Sequence, residues 1–134
     1  MTAEKLAEEI RQPLKQNGYK KNRLTWYKSD GRVTVVFSVQ KSQYGSDLWY
    51  YNFGVGLNEL EGRTINTISK CCIIERLDMK ANGITISSDV LVKAVLRFES
   101  EYGDMDKLRI RAMEGRLPRF AARQAVSYLT SIGN

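Results

Sequence analysis

Apolar residues recur at Ala3, Leu6, Ala7, Ile10 and Leu14, the spacing of one face of an α-helix. This predicts a first helix over residues 3–17, with Thr2 able to cap its start and Gly18 to end it. Pro13 lacks a backbone N–H, so a break is expected near Arg11, with Leu14 beginning a second short piece. From Leu24 the period changes to two. A strand over Leu24–Lys28 leads into Ser29-Asp30-Gly31, where Asp-Gly signals a hairpin. The next strand, Arg32–Lys41, sends Val33, Val35, Phe37 and Val39 to one face and Thr34, Val36, Ser38 and Gln40 to the other, the pattern of a half-buried strand. After a turn at Gln43-Tyr44-Gly45-Ser46, a third strand sets Trp49, Tyr51, Phe53, Val55 and Leu57 against Leu48, Tyr50, Asn52, Gly54 and Gly56. Its two glycines point to a bulge or a close backbone approach, and pairing is expected to loosen past Phe53.

Residues 64–79 fit two periods. Ile65, Ile68 and Cys72 have helical spacing, whereas the run from Cys71 to Leu77 reads as a short buried strand, which is the reading preferred here. Ala81-Asn82-Gly83 turns the chain into a brief extended piece, Ile84-Thr85-Ile86, after which Ser87 or Ser88 can cap a helix. The C-terminal third is helical. Leu91, Val95, Phe98 and Tyr102 form one stripe ended by Gly103, and Met105, Leu108 and Ala112 begin a second helix interrupted at Gly115. Pro118 suits the first turn of a last helix carrying Ala121, Ala125, Tyr128, Leu129 and Ile132. The order predicts a single α+β domain over residues 1–134: an N-terminal helix, an antiparallel sheet of four or five strands, and C-terminal helices packed on one sheet face.

Composition narrows the chemistry. The 134 residues contain no histidine, which removes the commonest general base and the commonest transition-metal ligand. The two cysteines are the adjacent Cys71 and Cys72; a bond between them would be strained and they do not make a zinc framework, so a reducing, cytoplasmic setting is expected. Neither a secretory leader nor an apolar run long enough to span a membrane is seen. Gly54-Val55-Gly56 lacks the third glycine of a dinucleotide fingerprint, and no phosphate-binding loop motif occurs. Glu59 with Glu61, or Asp104 with Asp106, could hold Mg²⁺, but acids in polar turns are ordinary and Asp104 can cap a helix. The expectation is a protein without cofactor or catalytic residues.

Five segments carry a resemblance to a known family: Pro13-Leu14-Lys15, Gly18-Tyr19-Lys20-Lys21, Leu24-Thr25-Trp26-Tyr27, Val39-Gln40-Lys41-Ser42 and Asn52-Phe53-Gly54-Val55-Gly56. Together they resemble a bacterial family known as domain of unknown function 4304, mainly over residues 10–57. Tyr19, Trp26 and Phe53 stand as aromatic or apolar variants of its pattern. The second half departs from it, since no tryptophan follows Trp49. The resemblance brings no catalytic residues, and by analogy with small orphan families found beside toxin genes it implies an immunity protein.

Charge supplies the candidate contact residues. The formal net charge is +6, and Lys107, Arg109, Arg111, Arg116, Arg119 and Arg123 face only Glu114, a local balance of +5. Arginine forks bind carboxylates and phosphates bidentately, which makes this run a candidate docking patch; the same cations also suit a solvated helix face. A second run, from Arg11 to Lys41, reaches +7 but reads better as helix-end and edge-strand lysines. Most aromatic residues belong to a core, leaving Tyr27 and Tyr50 as candidates for an open sheet face. The expected function is therefore binding: an immunity protein covering the active site of its cognate toxin or another acidic surface. The alternative is a nucleic-acid-binding module using the same cations, and a metal-assisted hydrolase is a remote third.

Overall fold

Among the described residues six strands form one antiparallel sheet in the order β1-β2-β3-β4-β5-β6: β1 Lys20–Asn22, β2 Thr25–Ser29, β3 Val33–Lys41, β4 Trp49–Leu57, β5 Ile73–Met79 and β6 Phe120–Ala121. The computed structural model describes residues 3–41, 49–62, 65–79, 87–118 and 120–131. Helices α1 (Ala3–Gln16), α2 (Asn58–Glu61), α3 (Ser88–Tyr102), α4 (Met105–Met113) and α5 (Arg123–Ser131) complete the fold. This is the expected α+β architecture. Two short outer strands, β1 and β6, are added to the four expected ones, and β5 begins at Ile73 and not at Cys71. The proposed cap at Thr2, the turns at 43–46 and 81–83, the extended piece 84–86, and Ile132 all lie outside the described residues.

The helices cover one face. Leu6, Ala7, Ile10 and Leu14 of α1, Leu91, Val95 and Phe98 of α3, Met105, Leu108 and Ala112 of α4, and Ala125 and Leu129 of α5 are buried against the inward sides of β2 to β5. A chain of rings runs through this core, from Trp26 to Phe37, Phe53, Phe98 and Tyr102, with successive centroids 5.8, 5.2, 5.5 and 5.0 Å apart. Such spacings suit tilted aromatic pairs. Glu99 of α3 ties the helix layer to the first hairpin: the Tyr19 hydroxyl donates to its Oε1 at 2.8 Å and Lys28 Nζ to its Oε2 at 2.9 Å.

Several expectations about the elements are corrected. α1 runs unbroken through Pro13. The proline sits in the last turn, where it removes one bond while Ile10 and Leu14, both fully buried, hold the helix on the sheet. Pairing along β4 does not loosen past Phe53; it continues to Leu57 against β3 and to Val55 against β5. The last helix starts at Arg123 and not near Pro118, because Phe120 and Ala121 pair with Ile74 and Ile73 as a strand.

The far face of the sheet is also covered in part. A 3₁₀ turn at Ile68–Lys70 precedes β5, and residues 65–72 cross β3 and β4 as a strap. Val36, Ile65 and Cys71 form a second small core with Tyr27, Ile68 and Ile74 packed against it. Gly54 and Gly56 are the seats of this strap. A Cβ on Gly54 would lie 2.6 Å from Ile68 Cδ1, and one on Gly56 would collide with Ile65 Cδ1. The glycines thus serve the close approach, without a bulge in the β3–β4 register. β3 is consequently not half-buried: Thr34, Val36 and Ser38 on its second face are buried as well. Thr34 donates from Oγ1 to Asn58 Oδ1 at 2.7 Å, and Asn58 Nδ2 donates to Ser29 Oγ at 3.0 Å, so these polar groups are satisfied.

Candidate functional site

The basic C-terminal run is divided by the fold. α4 turns Met105, Leu108 and Ala112 inward, so residues at i+2 and i+5 from Met105 or Leu108 face outward. Asp104 caps this helix, its Oδ1 accepting from Lys107 N at 2.8 Å, as its sequence position allows. Lys107 Nζ then reaches back to donate to Ser100 O at 2.6 Å, and Arg111 Nε donates to Glu101 O at 2.9 Å. Both cations finish the C-terminus of α3, where orphan carbonyls and the helix dipole favour positive charge. The Arg111 guanidinium also lies 4.7 Å from the Tyr102 ring centroid, a stacking contact that fixes its plane.

Lys107, Arg111 and Arg116 line one shallow depression of about 420 Å³ together with Ser100, Glu101, Ile110 and Glu114. Arg116 bonds Glu114 at 3.1 Å on its exposed rim. Three of the six expected cations are therefore brought together. Arg109 is half-buried, and its Nε is a buried atom without a hydrogen-bond partner among the described residues. Arg123 is exposed in the first turn of α5 and does not line the depression. Arg119 lies outside the described residues.

The residues that sequence reasoning missed are apolar. Ile110 is 57% exposed and Met113 65%, one helical turn apart on the outer side of α4, beside Lys107 and Arg116 in sequence. The signal was present in the helical period: both stand off the Met105–Leu108–Ala112 stripe, so burial of that stripe leaves them in water.

Tyr27 and Tyr50 share the far face of the sheet, since they pair with Val36 and Gln40 two steps apart along β3. They do not make an open platform. Tyr27 is half-buried against the strap, and Tyr50 is half-buried and engaged by neighbours. Between them, Asn52 Nδ2 donates to Gln40 Oε1 at 3.1 Å.

The remaining chemistry is subdued. Burial, followed by the nearby Cys72 and Glu61 charges, pushes the Cys71 thiol well above its ordinary range, and burial raises Cys72 too. Both are thiols at neutral pH, the poorly nucleophilic form. Glu59 accepts from the Tyr128 hydroxyl, and Asp104 is occupied as a cap. Among the described residues no group of three or more Cys, Asp or Glu is placed to hold a metal ion, and no helix is long and apolar enough to cross a membrane.

Comparison with curated proteins and with solved structures gave no match. A family model does match, and it reaches beyond the motifs of the first four strands to the end of α3. With residues 10–103 matched, the chain belongs to the family described as domain of unknown function DUF4304.

Proposed function

We propose that this chain is a non-catalytic protein-binding domain, an immunity protein that neutralises a bacterial toxin by covering its active site, with the outer side of α4 as the contact surface. The observation that carries the reading is the exposure of Ile110 and Met113 next to a depression lined by Lys107, Arg111 and Arg116. Apolar anchors ringed by charges that can meet an acidic partner have the composition of a recognition surface. Two of those cations are held in place by backbone carbonyls of α3, so little side-chain entropy remains to be lost on docking. The absence of histidine and the protonated state of both cysteines fit inhibition by occlusion, which needs no chemistry from the inhibitor.

The test begins with a tagged pull-down from the native lysate under nuclease treatment and a salt series. A stoichiometric protein should survive nuclease, should arrest growth when expressed alone, and should be silenced by co-expression of this chain. Ile110→Asp with Met113→Asp and Arg116→Glu, all at exposed positions, should abolish that protection while leaving the circular dichroism spectrum unchanged. Protection retained by the triple variant would refute the α4 assignment. Recovery of nuclease-sensitive material whose binding collapses with salt would replace the reading with nucleic-acid binding.

A further inference from the structure

The two ends of the sheet are finished differently. At one end β1 presents Lys20 and Lys21 to solvent, and charged residues on a short edge strand discourage further pairing. At the other end β6 covers only Ile73 and Ile74 of β5. From Glu75 to Met79 no described strand lies against the outer edge of β5. Along such an edge every second residue turns its N–H and C=O away from the sheet, and each of those groups needs a partner or water.

This edge borders a cleft of about 490 Å³ between β5 and α3, lined by Phe53, Phe98 and Tyr102 and walled by Val90 and Ala94. The cleft ends the aromatic chain of the core, so its floor is rigid and apolar. Two charges stand across it: Lys93 on the helix wall and Glu75 on the strand. Both are exposed, and neither forms an ion pair with a described residue, whereas Arg97 and Glu101 bond each other at 3.2 Å.

We propose that the outer edge of β5 and the α3 cleft form a docking site for an extended segment of a partner protein, which adds to the sheet as a further strand. Its backbone would satisfy the edge that the described strands leave open, and alternate side chains would enter the cleft. Glu75 points to the helix side, since it pairs with the inward-facing Phe53. The side chain opposite Glu75 is therefore basic, that facing Lys93 acidic, and the rest of that face apolar. The proposal does not rest on the α4 reading, although Glu101 lines both depressions.

Hydrogen exchange on the free protein gives the first check: alternate amides between Glu75 and Met79 should exchange fast. A displayed library of random twelve-residue peptides, selected on the full chain, should then yield binders with alternating apolar residues that protect those amides. Lys93→Glu, a change at an exposed position, should weaken them roughly tenfold. N-methylation of one alternate set of peptide amides should abolish binding, and methylation of the other set should not. Ile110→Asp with Arg116→Glu, at exposed positions that make no bond to α3, should leave peptide affinity unchanged, which separates this site from the α4 reading. The proposal fails if the edge amides are already protected in the free monomer, if the edge is protected only through concentration-dependent self-association, if no peptide is selected, or if both methylated forms bind like the parent.

Discussion

Cys71 packs closely over Gly54, its Sγ 2.8 Å from where a Cβ on Gly54 would lie. Burial is the first cause of its raised pKa, with the Cys72 and Glu61 charges adding to it. Unfolding exposes the thiol and returns it to an ordinary value near 9.0. Below that pH both states hold the proton and the folded state keeps its full stability. Above it, the unfolded chain gives up a proton that the folded chain retains, so stability falls with rising pH, by up to about 1.4 kcal/mol per pH unit for one such group. Cys71→Ala should therefore lower stability at neutral pH through lost packing, yet show a gentler decline above pH 9 than the parent. Urea unfolding across a pH series measures both effects. A residual slope is expected from Cys72 and Tyr19, whose pKa values are also raised by burial. A parallel decline in parent and variant would show that the Cys71 proton is not linked to folding.

At the level of elements, the strands and helices with clear periodicity were readable before any coordinates. β3 and β4 alternate cleanly, Asp30-Gly31 makes the expected turn with Asp30 Oδ1 accepting from Arg32 N and Val33 N at 2.9 and 2.8 Å, and Ser87 and Asp104 cap the helices they precede. The errors have physical reasons. Pro13 was read from local propensity, but burial of Ile10 and Leu14 outweighs a single lost hydrogen bond. β1 and β6 have three and two residues, too few for a period to show. The strap was the largest gap: Ile65 and Cys71 belong to no stripe of their own element and acquire meaning only from the glycines opposite. Gly56→Ala should destabilise by about 1–3 kcal/mol through overpacking against Ile65. Ile65→Ala should also be costly, but the double variant should lose less than the two single losses combined, because the clash and the cavity occupy the same place. Full additivity in a double-mutant cycle would show that the strap does not rest on Gly56.

For the whole molecule, the six cations were legible as a sequence cluster, while their separation was not, since it depends on which carbonyls end α3 and which side of α4 faces the core. Lys107 and Arg111 hold α3 together as well as lining the depression, and Arg109 turns elsewhere. A net charge of +6 spread over the chain should steer an acidic partner at long range. Its association rate should fall as salt rises while dissociation changes little, an outcome that stopped-flow kinetics at several ionic strengths can read; a salt-independent association rate would remove electrostatic steering from the account. The strap carries one more consequence, for how the chain arrives at this fold. A slip of one residue in β4 would turn Phe53 and Val55 toward residues 65–72 in place of the two glycines. Bulky side chains would then keep the strap from seating, so the strap is compatible only with the correctly aligned hairpin and penalises the slipped one.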